Sequence, residues 1–82
     1  MKARVHVFLK ESVFDPQGNT VARSLHQLGF EKVQSVRIGK VVDIELNSAS
    51  RDQAEKEIKT MCDTLLANPV IEAYRFEILN PE

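Results

Sequence analysis

The chain has 82 residues and a formal net charge of −1, with 43% hydrophobic and 28% charged residues. That is one small globular domain, spanning residues 1–82, which buries only about 60–65% of the surface its unfolded chain exposes and has little interior for a deep catalytic cleft. The near-neutral balance removes any bulk electrostatic pull toward nucleic acid or an anionic membrane. The single cysteine excludes an internal disulfide framework and a cysteine-cluster zinc site.

Ala3, Val5, Val7 and Leu9 alternate with Arg4, His6, Phe8 and Lys10, the period of a half-buried strand. Met1-Lys2-Ala3-Arg4 leads straight into this pattern, unlike a signal-peptide core. No apolar run approaches the about 20 residues of a membrane span. The cytoplasm is therefore the expected location, with neither a membrane nor nucleic acid as partner.

Asp15-Pro16-Gln17-Gly18 reads as a helix start. The Asp15 carboxylate suits an N-cap, and Pro16 suits the first helical position. Val21, Leu25 and Leu28 follow at helical spacing beside Ala22, giving a helix over about residues 16–28 that Gly29 closes. Gly18 is costly inside a helix, by about 1 kcal/mol relative to alanine. A close backbone approach by another chain, or an anion at the helix start, would justify it.

Residues 32–46 read as two strands around Gly39-Lys40. A two-residue turn would put Val36 and Ile38 on the face opposite Val42, Ile44 and Leu46, so a three-residue loop or bulge with a positive-φ Gly39 is expected. Ser50-Arg51-Asp52-Gln53 matches a capping box. A longer helix follows, with Ala54, Ile58, Met61, Cys62, Leu65 and Leu66 on one arc and Glu55 and Lys59 paired on its wet side. Asn68-Pro69 stops it, and Tyr74, Phe76 and Ile78 alternate with Arg75 and Glu77 in a last strand.

The order β-α-β-β-α-β predicts an α+β, ferredoxin-like two-layer sandwich: a four-stranded, mainly antiparallel sheet with both helices on one face. The other face would carry Arg4, His6, Phe8, Arg37, Asp43, Glu45, Ile71 and Ala73, a mixture suited to subunit contact.

Candidate chemistry is sparse. Cys62 falls on a helical apolar arc and reads as a small buried hydrophobe rather than a nucleophile. His6 and His26 have no partner at metal-ligand spacing, so no metal is expected. RNA recognition would need stacking aromatics on the open face, where the third strand offers Asp43 and Glu45 instead. An acyl-phosphate hydrolase would need a phosphate-cradling loop, and Lys10-Glu11-Ser12-Val13-Phe14 has no glycine. Arg37 and Lys40 around Gly39 place two cations at a hairpin tip, which would suit a carboxylate, a phosphate or a partner's acidic patch.

Taken in order, Asp15-Pro16-Gln17-Gly18, Leu25 to Leu28, Val36-Arg37-Ile38-Gly39-Lys40, and Cys62 with Leu65-Leu66-Ala67-Asn68-Pro69-Val70-Ile71-Glu72 resemble the PurS family. These are the small subunits of phosphoribosylformylglycinamidine (FGAM) synthase. The resemblance implies a non-catalytic subunit of a purine-biosynthesis ligase complex. It would dimerise or form higher oligomers, bridge a glutaminase and a synthetase subunit, and assist ammonia transfer. It implies no cofactor in this chain; ATP and Mg belong to the synthetase partner. The expected assembly residues are Asp15, Gly18, Arg37, Gly39, Lys40, Asn68, Pro69 and Glu72. A second reading, from the fold and Gly18, is a ferredoxin-like sensor binding an amino acid or nucleotide at a dimer interface.

Overall fold

The computed structural model describes residues 1–79. Its elements are β1 (Lys2–Leu9), α1 (Pro16–Gln27), β2 (Gly39–Glu45), α2 (Arg51–Met61) running on into a π-helical turn (Cys62–Leu66), and β3 (Glu72–Leu79). The sheet is antiparallel in the order β2-β1-β3. Val5 at its centre stands opposite Val42 on one side and Phe76 on the other.

The alternation of β1 produces the core. Ala3, Val5 and Val7 point to one face and are buried together with Ala54, Ile58 and Cys62 of the second helix. The opposite face follows from the same register. Arg4 lies between Asp43 and Glu77, His6 between Val41 and Arg75, and Phe8 between Gly39 and Ala73. Arg4 grips Asp43 with two hydrogen bonds of 2.8 and 3.2 Å.

Both helix starts are capped as expected. The Asp15 carboxylate accepts the Gly18 N–H at 2.9 Å, with Pro16 at the first helical position. The Ser50 hydroxyl accepts the Gln53 N–H at 3.2 Å. Gly29 ends α1 with φ at 103°. There the Gly29 N–H reaches the His26 carbonyl and the Phe30 N–H the Leu25 carbonyl, a Schellman ending that glycine permits.

Four expectations change. The sheet has three strands among the described residues rather than four, because residues 33–38 pair with no strand and no turn occurs at Gly39. Gly39 is the first residue of β2, and the positive-φ glycine is Gly29. A Cβ on Gly39 would lie 2.7 Å from the Val7 carbonyl oxygen, so close strand approach is what needs a glycine there. Second, α1 stands off both the sheet and α2 without extensive packing on either, so only α2 covers the core face.

Third, α2 does not end as a simple α-helix. The Ala67 N–H bonds the Cys62 carbonyl five residues back, at 3.1 Å. This widened turn keeps Cys62 in the core but swings Leu65 out to 82% exposure. Fourth, the wet side of α2 pairs Arg51 with Glu55 and Lys59 with Asp63, not Glu55 with Lys59. Among the described residues no helix is long and apolar enough to cross a membrane.

Candidate assembly surface

Antiparallel pairing brings the end of β1 beside the starts of β2 and β3. The loops that carry the sequence motifs therefore meet at one end of the sheet. Asp15, Gly39, Lys40 and Glu72 line one cleft of about 230 Å³. Arg37 and Gly39 line a neighbouring groove of about 710 Å³, floored by Phe8, Ile38 and Ala73.

Asp15 organises this end. It is a buried carboxylate at 5% exposure, and both of its oxygens are used. Oδ1 accepts from the Gly18 N–H, and Oδ2 accepts from the Ile38 N–H at 2.7 Å. These two backbone bonds hold the carboxyl below its usual range, with the Arg37 charge adding to the effect. Gly18 sits against the returning chain, where a Cβ would drive into the Val36 carbonyl oxygen. The close approach comes from this chain's own return segment, so neither another chain nor an anion is needed to explain this glycine.

Arg37 does not reach freely into solvent. Its guanidinium donates to the carbonyls of Lys10 and Val13, at 3.0 and 2.9 Å, and clamps the loop between β1 and α1. Lys40 is exposed on β2. On the other side of the end, the Asn68 carboxamide oxygen accepts the Val70 N–H, and the Glu72 carboxylate accepts the Asn68 N–H at 2.7 Å. These two side chains shape the turn around Pro69. Asn68, Pro69 and Glu72 are therefore first of all turn-makers.

Lys10 is the residue that sequence reasoning missed. Its N–H bonds the Ile71 carbonyl, its Nζ bonds the Pro69 carbonyl at 2.8 Å, and its own carbonyl accepts from Arg37. It joins the two motif loops. The only sequence signal for it was its place just beyond the alternation of β1. Arg37 and Lys10 are held by neutral carbonyls, so their positive charge stays at the rim of an apolar groove.

A second polar cluster lies at the tail of α2. The Tyr74 hydroxyl donates to Asp63 at 2.7 Å, and Lys59 bonds the same carboxylate at 3.3 Å. Tyr74 chiefly holds the Asp63 carboxyl low, and Asp63 in turn raises the Tyr74 phenol. Cys62 is fully buried and desolvation pushes its thiol up, the reverse of an activated nucleophile. Among the described residues no group of His, Cys, Asp and Glu is placed to hold a metal ion.

The geometry defines a small α+β domain whose motif loops bring backbone turns and cations together at one sheet end. The sequence matches the PurS family, phosphoribosylformylglycinamidine (FGAM) synthase, over residues 2–80, and the chain belongs to that family. It is 48% identical over 77 residues to the FGAM synthase subunit PurS of Bacillus subtilis, covering 94% of this chain and 90% of the relative. It is 47% identical over 74 residues to the PurS subunit of Archaeoglobus fulgidus, covering 90% of this chain and 92% of that one.

The fold is similar to that of B. subtilis PurS in its C2 crystal form, with a TM-score of 0.86 at 47% identity, covering 96% of this chain and 98% of that one. It is likewise similar to a chain of the PurLQS structure from Thermotoga maritima, with a TM-score of 0.87 at 32% identity and 95% of each chain covered.

Proposed function

We propose that this chain is the non-catalytic assembly subunit of a cytoplasmic FGAM synthase. It works as a homo-oligomer between a glutaminase and a synthetase subunit and assists ammonia transfer between them. The complex converts formylglycinamide ribonucleotide, glutamine and ATP to formylglycinamidine ribonucleotide, glutamate, ADP and phosphate. The observation that carries this reading is membership of the PurS family over nearly the whole chain.

The physical logic suits a bridge. Ammonia released into neutral water is mostly protonated, and ammonium is not a nucleophile. A sealed junction keeps it neutral and raises its effective concentration at the acceptor. The bridge itself then needs a shaped, stable surface rather than a reactive side chain. That surface is the sheet end where Asp15, Gly18, Arg37, Gly39 and Lys40 meet Asn68, Pro69 and Glu72. The turns fix its shape, and Arg37 and Lys40 supply charge. The sensor reading loses its motive, because Val36 rather than a ligand occupies the space beside Gly18.

Size-exclusion chromatography of the chain mixed with the two other subunits tests this. One complex containing all three is expected. Separate elution of this chain, with substrates and nucleotide present, would contradict it.

A further inference from the structure

At the sheet end where the motif loops meet, a short apolar row crosses the face turned away from α2. Phe8 of β1 stands opposite Gly39 of β2 on one side and Ala73 of β3 on the other. Both neighbours are short, and the Phe8 ring is left 41% exposed. Ile38, exposed just before β2 begins, adds to the strip. The next row inward on this face, Val41, His6 and Arg75, is polar at two of its three positions and bounds it. The strip floors a groove of about 710 Å³. That lies within the range of about 300–1,000 Å³ typical of ligand sites.

The rim is cationic, with Lys10 and Arg37 lining the groove against one acid, Glu11. Among the described residues the ion pairs are Arg4–Asp43, Arg51–Glu55 and Lys59–Asp63, so neither rim cation is paired with an acid. Neutral carbonyls fix both instead. Arg37 Nη2 donates to Lys10 and Val13, and Lys10 Nζ donates to Pro69. Nη2 thereby uses both its hydrogens, while the N–H groups on Nε and Nη1 meet no acceptor among the described residues. Carbonyls orient a cation without cancelling its charge. Side-chain freedom that an incoming anion would have to remove is already restricted, which favours binding.

From this juxtaposition we infer that the groove docks an extended polypeptide segment of a partner subunit, one that sets a carboxylate side chain against Arg37 and an apolar side chain against Phe8. Charge complementarity selects the carboxylate, which accepts the remaining guanidinium N–H groups in charge-assisted hydrogen bonds. Glu11 repels its single charge less than the nearly double charge of a phosphate group. The bare ring between Gly39 and Ala73 selects the apolar neighbour, which an inorganic anion lacks. The source of the segment rests on the assembly reading; its chemistry rests on the groove.

Amide NMR of the isotope-labelled chain, with no other subunit present, tests the chemistry. The probe is acetyl-leucyl-glutamyl-leucine amide. Shifts are expected in residues 8–12 and 36–39 and at Ala73. The glutaminyl counterpart is expected to bind about ten-fold more weakly, and inorganic phosphate more weakly than the glutamyl peptide. Ala73→Leu, which fills the floor, is expected to abolish the shifts, and Glu11→Gln to strengthen binding. If Ala73→Leu does not fold, the two peptides on the unaltered chain decide. Equal binding of both peptides, tighter phosphate binding or shifts elsewhere overturns the inference.

The source is tested in the assembled complex with Ser12→Cys carrying a benzophenone on the new thiol, since Ser12 is exposed on the groove and Cys62 is buried. Cross-linking is expected to a segment of the glutaminase or synthetase subunit in which Asp or Glu lies beside an apolar residue. Cross-linking only to another copy of this chain, to a basic segment, or to nothing in a complex that does form overturns the inference and leaves the FGAM synthase reading standing. A complex that does not form contradicts that reading and the partner-subunit source together, while the peptide titration still judges the groove's chemistry.

Discussion

Asp15 and Ile38 stand 23 residues apart, and the Asp15 carboxylate accepts the Ile38 N–H at 2.7 Å while its other oxygen caps α1. One side chain therefore sets both where the helix begins and where the chain returns to the sheet. Asp15→Ala removes both acceptors and leaves two N–H groups unpaired. The melting temperature is expected to fall by roughly 5–10 °C. Asp15→Asn, which still caps, is expected to lose less. A melting temperature unchanged in Asp15→Ala would show that the bridge is not needed.

The same contact has a pH signature. Asp15 is held low by its two backbone donors, Asp43 by Arg4, and Asp63 chiefly by Tyr74. A carboxyl with a folded pKa below its unfolded value adds stability that is complete above the unfolded value. That stability is lost as pH falls through the folded value. Stability is thus expected to decline from about pH 4 downward. Asp15→Asn should show a shallower decline in urea titrations between pH 7 and pH 2.5; parallel slopes would remove Asp15 from the set.

Gly18 and Gly29 predict different local consequences for the same destabilising substitution. In a free helix Gly→Ala helps, but at position 18 the new Cβ meets the Val36 carbonyl oxygen, a backbone atom that cannot swing aside. Gly18→Ala is expected to cost about 1–3 kcal/mol and to raise hydrogen exchange in residues 33–38. Gly29→Ala meets no atom within 4 Å and bears only the positive-φ penalty, about 1–2 kcal/mol, without loosening that segment. Equal effects on exchange would contradict the close approach.

Much of this was legible in the sequence, and the failures have physical causes. Both caps, the Gly29 ending and the β1 alternation follow from local chemistry and were readable. The turn at Gly39 was not there to be read. Val36, Ile38, Val42, Ile44 and Leu46 share one parity, which an unturned run through Gly39 satisfies without any bulge. Glycine punctuates a chain so often that it masked this simpler reading. The exposure of Leu65 depends on one widened turn that inserts a residue into the helical period. The placement of α1 away from the sheet is a tertiary outcome, which its amphipathic stripe alone does not decide. Asp15, Gly18, Arg37, Gly39 and Lys40 were found as motifs, but their joint geometry depends on Lys10, whose side chain carried no motif.

Arg37 and Lys40 separate a clamp from a free charge. Arg37→Ala frees the carbonyls of Lys10 and Val13 and is expected to lower the melting temperature by a few degrees. Lys40→Ala is expected to leave it unchanged. Titration calorimetry against the other two subunits should show weaker binding for both. Full affinity in the double variant would place the contact elsewhere.

Cys62 reports on the core. Its burial and raised thiol predict alkylation by iodoacetamide only through opening of the α2–sheet contact. The labelling rate should therefore rise in parallel with the unfolded fraction in urea. Rapid labelling of the native chain would mean that the helix is not seated as described.

The most direct measurement is FGAM synthesis by the glutaminase and synthetase subunits with and without this chain, using glutamine or ammonium chloride as the nitrogen source. A bridging subunit predicts that the glutamine-dependent rate falls by at least ten-fold in its absence, while the ammonia-dependent rate changes much less. Equal glutamine-dependent rates with and without the chain would contradict the role proposed for it.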